Sequence, residues 1–193
     1  MVKEVKGIEI ALLWDREITY KRYLIDRGFD CEVITPGTLA APFFSTRVCR
    51  LLIVPAGFGN TLYSGILKEL RATSMFIKNF VKRGGTLLVS GAFSIRDAYN
   101  WLPVKIEYVM EERRVRIEVV TEHEAATIVE KEECFCDGYF EEVDPGCEVL
   151  LTVKRDEDEK AILVVSEYGA GKIIATTIHE YPSEQFLAYC VRR

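Results

Sequence analysis

The sequence predicts an α/β fold: a mostly parallel central sheet with helices on both faces, extended by antiparallel strands in the carboxyl-terminal half. Three observations carry this prediction. Apolar, β-branched runs at residues 6–14, 29–34, 48–54 and 86–89 alternate with helical patterns at 17–27 and 62–82, the order that builds a parallel sheet covered on both sides. Beyond residue 105 the pattern changes to polar–apolar alternation, the mark of antiparallel or edge strands. At 193 residues and 49% hydrophobic content the chain can bury one large core, so a single domain over residues 1–193 is expected.

The strand at 6–14 ends at Trp14-Asp15, and Ile18, Tyr20, Tyr23 and Leu24 give 17–27 its helical spacing, with Gly28 as the stop. The strand at 29–34 is closed by Pro36-Gly37, and Pro42 excludes a clean helix over 38–45. After the strand at 48–54 comes the turn Pro55-Ala56-Gly57-Phe58-Gly59-Asn60. The helix at 62–82 presents Ile66, Leu70, Phe76, Ile77, Phe80 and Val81 as its buried stripe. Gly84-Gly85 supply the left-handed backbone that ends it. The strand at 86–89 then runs into Ser90-Gly91-Ala92, at the carboxyl edge where open α/β sheets place their ligands.

In the second half, two alternating stretches lie within 105–120, and 122–140 is acidic and ambiguous. A strand at 147–153, a charged hairpin turn at 154–160 and a strand at 161–166 come next. Tyr168-Gly169-Ala170-Gly171-Lys172 lies between this strand and another at 173–178, so its glycines make a hairpin. A phosphate-binding loop would need a helix there. His179-Glu180-Tyr181-Pro182 leaves the last strand, and 183–191 is a closing helix with Ser183 as N-cap and Glu184 in its first turn.

Composition excludes several function classes. The net charge is −5 and the run from Glu111 to Arg116 alternates in sign, so no nucleic-acid footprint is expected. No apolar stretch is long enough for a membrane span, since Arg50 interrupts 48–59, and residues 1–17 lack a signal peptide's apolar segment. A cytoplasmic protein is the plain expectation. Amides are confined to Asn60, Asn79, Asn100 and Gln185, against 28% charged residues, a thermophile's composition. The six cysteines lack the spacing of a structural zinc site. Cys134 and Cys136 share a face if extended, and a metal or redox site there is weighed against buried small hydrophobes, the favoured reading. No metal and no cofactor is expected.

With these elements placed, the chain resembles the class I glutamine amidotransferase-like superfamily, in the variant found at the amino terminus of some biotin–protein ligases and in ThuA-like proteins. Leu52 to Gly59 looks like the strand and turn that supply oxyanion-hole amides there. Phe80 to Ser94 looks like the family's helix, Gly-Gly, strand and nucleophile elbow. Asp137-Gly138-Tyr139-Phe140, then Glu148-Val149-Leu150, then the stretch from Ala161 to Glu180 resemble its carboxyl half, which ends in the catalytic histidine. The resemblance implies a flavodoxin-like, three-layer fold.

The chain departs from the family in its chemistry. The family elbow is Gly-x-Cys-x-Gly, whose small flanking residues let a strained turn expose a thiolate; here no cysteine lies between Cys49 and Cys134. Counting from Gly84-Gly85 puts the nucleophile slot near Gly91, with Ser90 and Ala92 as the one-residue slips. The catalytic candidates are Ser90, His179 and Glu180, although Glu180 directly follows the histidine where the family often has His-x-Glu. The ligand-binding candidates are Asp15, Gly57, Phe58, Gly59, Asn60, Gly91 and Ala92, the amides of 57–59 being suited to an anion. His123 is expected at the surface. The leading expectation is a catalytically silent amidotransferase-like domain that binds a small-molecule ligand or acts through assembly, homo-oligomers included. A divergent hydrolase using Ser90 and His179, and a structural subunit-interaction domain, are the alternatives.

Overall fold

The computed structural model describes residues 8–39, 49–94 and 97–192. Lys6 and Gly7 of the first expected strand, Val48, and most of the expected irregular segment (40–45) lie outside the described residues. The strands are β1 (Ile10–Leu13), β2 (Cys31–Ile34), β3 (Leu51–Val54), β4 (Thr86–Val89), β5 (Ile106–Arg116), β6 (Glu118–Val119), β7 (Glu133–Val143), β8 (Cys147–Arg155), β9 (Asp158–Tyr168) and β10 (Gly171–Thr176). The helices are α1 (Thr19–Asp26), α2 (Pro36–Leu39), α3 (Ile66–Lys82) and α4 (Glu184–Val191), with a 3₁₀ turn at Glu124–Ile128.

The sheet runs β2-β1-β3-β4-β10-β9-β7-β5, with β8 and β6 branching from β9. The pairs from β2 to β10 are parallel, and those beyond β10 are antiparallel. Strand side chains alternate between faces, and here both faces are apolar. Ala11, Leu13, Leu52, Val54, Leu87 and Val89 pack with Ile66, Leu70, Ile77 and Phe80 of α3. Ile10, Leu12, Leu51, Ile53 and Leu88 pack with Tyr20 and Leu24 of α1 and Phe186 and Leu187 of α4. The sheet is therefore the middle of three layers, as the sequence predicts. Among the described residues no helix is long and apolar enough to cross a membrane.

Several boundaries differ from the sequence expectation for local reasons. Pro36 and Gly37 open a one-turn helix instead of merely closing β2: proline suits a first helical position, and Thr35 Oγ1 accepts the N–H of Thr38 at 3.3 Å. Phe76 is not part of α3's buried stripe; it is 48% exposed, and Thr73 takes the inward position. The charged turn at 154–160 shrinks to Asp156-Glu157, with Asp156 left-handed (φ 55°), because Lys154, Arg155 and Asp158–Lys160 point their charges outward from paired strands. The first of the two stretches in 105–120 runs on as one bulged strand, β5, into Val115 and Arg116 of the second, whose remainder supplies β6.

The acidic segment that is ambiguous in sequence contains β7, the strand that carries Asp137. It pairs along β5, and its start also runs beside the chain leaving β10: the Asp137 N–H donates to the Thr177 carbonyl at 3.0 Å and the His179 N–H to the Phe135 carbonyl at 2.8 Å. The glycine turn is the expected hairpin, with Gly169 at φ 67° between β9 and β10. Ser183 caps α4, its Oγ accepting the N–H of Phe186 at 3.1 Å and donating to the Thr127 carbonyl at 2.6 Å.

Candidate functional site

The loops leaving β1, β3, β4 and β10 meet at the carboxyl edge of the parallel strands. They enclose a crevice of about 220 Å³ lined by Trp14, Pro55, Ala56, Ser90, Ile178, His179, Glu180 and Tyr181, among others. Ser90, His179 and Glu180 are thus brought to one cavity. No hydrogen bond joins Ser90 to His179 among the described residues. Ser90 is held through its backbone, its N–H donating to the Val54 carbonyl and its carbonyl accepting from the Tyr99 hydroxyl, each at 2.9 Å.

The turn after β4 is clamped from two sides. On the β3 side, the Gly57 N–H donates to the Gly91 carbonyl at 2.8 Å and the Gly59 N–H to the Ala92 carbonyl at 3.0 Å. These two amides hold the neighbouring turn. Gly59 has no room for a side chain, since a Cβ would come within 2.6 Å of the Ser94 Cβ. Phe58 is fully buried, its ring edge-on to Tyr99 and Trp101 at 5.3 and 6.2 Å and so part of the core. Asn60 spends its Oδ1 on the N–H of Leu62 at 3.0 Å. Asp15 is exposed and its carboxylate accepts the N–H of Gly65 at 3.1 Å, tying the β1 loop to the start of α3.

On the other side stands Asp137 of β7, a residue to which the sequence pattern assigns no chemical role. It is 0% exposed. Its Oδ2 accepts the N–H of Phe93 at 3.3 Å, while Oδ1 has no hydrogen-bond partner among the described residues. Its carboxyl lies where a side chain on residue 91 would be, so Gly91 is glycine because the acid occupies that space. Burial pushes the Asp137 carboxyl up to about 7, with the Phe93 N–H acting in the opposite direction. The Tyr108 hydroxyl donates to the Asp137 carbonyl at 2.9 Å and ties the strand to β5. A sequence signal existed: Asp137 is one acid within an apolar run, Cys134 to Phe140.

Phe93 is left-handed (φ 49°), one of two non-glycine residues in that region among those described. This position lies one beyond the window of Ser90, Gly91 and Ala92. Its ring meets His179 edge-on at 5.5 Å, and Phe135 also meets the histidine edge-on at 5.8 Å. Glu180 does not orient the imidazole: its Oε1 accepts the N–H of Phe135 at 2.8 Å, and Oε2 is buried without a partner among the described residues. His123 is partly buried and not a plain surface residue, its Nδ1 accepting the N–H of Ala125 at 3.0 Å to cap the 3₁₀ turn. Cys134 and Cys136 do share a face, with sulfurs 3.6 Å apart in the core, and the hydrogen-bonded Cys134 thiol together with burial pushes Cys136 upward. Among the described residues no three His, Cys, Asp or Glu side chains gather as a metal-binding group.

No family model and no curated protein matches the sequence. Solved structures do match. A cytoplasmic protein from Salmonella typhimurium is 16% identical with a TM-score of 0.63, over 95% of this chain and 97% of that one. A β-galactosidase from Rahnella sp. R3 is 15% identical with a TM-score of 0.56, over 94% of this chain and 30% of that one. A ThuA-like protein from Bacteroides uniformis is 10% identical with a TM-score of 0.56, over 99% of this chain and 91% of that one. At these identities the likeness shows the fold: the flavodoxin-like α/β architecture that the sequence predicts, with neighbours that include a ThuA-like protein.

Proposed function

We propose that this chain is an amidotransferase-like domain without glutaminase chemistry, which binds a small ligand in the crevice at the carboxyl edge of its parallel strands. The observation that carries this reading is Phe93. With Gly91 as the leading glycine of an elbow, Phe93 stands at the third position, where the family places its cysteine, and it has the left-handed backbone of a strained turn. A phenyl ring offers no nucleophile. It instead lies against His179, whose imidazole would otherwise serve as base. The Gly57 and Gly59 amides are likewise spent on the turn's own carbonyls.

Exposure to 6-diazo-5-oxo-norleucine, a glutamine-analogue electrophile, is expected to leave the intact mass of the protein unchanged. An adduct on Ser90 that disappears in Ser90→Ala would overturn the silent reading. One observation favours the second reading, a serine hydrolase: Ser90 and His179 line the same crevice. That mechanism requires hydrolysis of p-nitrophenyl acetate to fall together in Ser90→Ala and His179→Ala. Turnover that persists in His179→Ala removes it. Binding of the native state raises the melting temperature, so a thermal scan against small metabolites tests the ligand-binding half of the proposal. Silence across such a scan would favour a role in assembly, homo-oligomers included.

A further inference from the structure

Two cavities meet at the segment after β10. The 220 Å³ crevice and a second cavity of about 460 Å³, bounded by α1, the start of β7 and the start of α4, share Glu180 and Tyr181. Glu180 stands at this junction with one oxygen used and one idle. Oε1 accepts the Phe135 N–H, whereas the buried Oε2 has no hydrogen-bond donor among the described residues. A buried carboxylate oxygen without a donor is costly.

The surroundings favour a cationic donor. The larger cavity carries Glu130, Glu133 and Glu184 besides Glu180, against Arg27 and Lys131. Arg27 is already committed, its guanidinium 3.6 Å over the Tyr23 ring and its Nη1 on the Tyr23 carbonyl at 3.4 Å. Aromatic rings line the two cavities together with the acid. Tyr181 stacks on Tyr20 at 4.4 Å and tilts against Tyr23 at 4.6 Å. Aromatic faces next to a carboxylate are the surface that attracts organic cations. Tyr20 also lines the smaller crevice, and its buried hydroxyl has no partner among the described residues.

We infer that the site takes a small organic cation, a primary amine or guanidinium on an apolar body. The charged group takes Glu180 Oε2 as its partner where the cavities meet, the carboxylate turning outward to present that enclosed oxygen, and the body lies against Tyr181 in the crevice. This assignment rests on the crevice being a ligand site.

Calorimetry and thermal unfolding of the full chain with benzylamine, agmatine, benzyl alcohol and phenylacetate test it, because the three benzyl probes differ chiefly in charge. Benzylamine and agmatine are expected to bind and raise the melting temperature, and the neutral and anionic probes to do so far less. Glu180→Gln keeps the acceptor for Phe135 and is expected to weaken amine binding by about tenfold or more. Tyr181→Leu, which removes the ring at a partly exposed position, weakens it independently. Glu157→Gln, in the β8–β9 turn, leaves it unchanged. Equal binding of the benzyl probes, or amine binding untouched by both site variants, overturns the cationic assignment and leaves the crevice a ligand site. Binding of none of the four, alongside silence in the metabolite scan, overturns both readings.

Discussion

Replacing Asp137 with asparagine is expected to stabilise the protein at pH 8, not to weaken it. The sign follows from the folded-state carboxyl being raised to about 7 from 3.8. Below about pH 4 both folded and unfolded chains carry the proton, and the group favours neither. Between about pH 4 and 7 the unfolded chain ionises while the folded chain holds its proton, so stability falls as pH rises. Above that range both forms are ionised and the full penalty remains. The shift corresponds to roughly 4 kcal/mol at most.

Asparagine removes the charge and keeps an acceptor for the Phe93 N–H. Its new N–H₂ takes the place of the unpartnered Oδ1 and gives back on the order of 1–2 kcal/mol. The net expected gain at pH 8 is about 2–3 kcal/mol, turning into a loss of about 1–2 kcal/mol near pH 4, where no charge penalty is left to relieve. The nearby phenols do not obscure this, since burial pushes Tyr99 and Tyr108 upward and keeps them neutral throughout. Glu112 is the nearby acid that adds to the upward push on Asp137. Urea unfolding of both proteins from pH 4 to pH 8 measures the effect, and parallel curves for wild type and variant would sink it.

Gly91→Ala should destabilise by about 3–5 kcal/mol, the range of severe overpacking in a closed site. Gly91 is not left-handed, so the cost is steric and not a matter of backbone preference. The new methyl would fall on the Asp137 carboxyl, which cannot retreat far because β7 pairs along β5 and is bonded to Thr177. At this chain length such a loss lowers the melting temperature by roughly 10 °C. Asp137→Ala in the same chain removes all three atoms that the methyl would meet. The double variant is therefore expected to recover much of the loss, giving a coupling of about 2 kcal/mol. Additive effects of the two substitutions would refute the packing of Asp137 on Gly91.

Much of this architecture was legible in local pattern. The apolar runs of β1, β3 and β4, the stops at Gly28 and Gly84, the Gly169 hairpin and the Ser183 cap depend on residues near in sequence, where periodicity and backbone preference act. The placement of Ser90 and His179 on one crevice needed the strand order, which sets β10 beside β4 and so brings their carboxyl ends together. The long strand β7 was not legible: its acidic start and its single buried acid break the apolar alternation, and its stability comes from β5 and from the chain after β10.

The stretch from Ser90 to Ser94 divides along the same line. Its small residues, its place after a buried strand and its lack of cysteine are written in the chain. Which residue turns left-handed is not, because that depends on carbonyls held by Gly57 and Gly59 and on a carboxyl arriving from Asp137, 44 residues beyond Phe93. Nothing in the local sequence of either partner says that it meets this turn, since a hydrogen bond across that separation exists only once the sheet has closed. Sequence therefore locates the crevice and excludes a thiolate from it, while long-range packing selects Phe93 for the strained position and Glu180 for the unspent carboxylate oxygen.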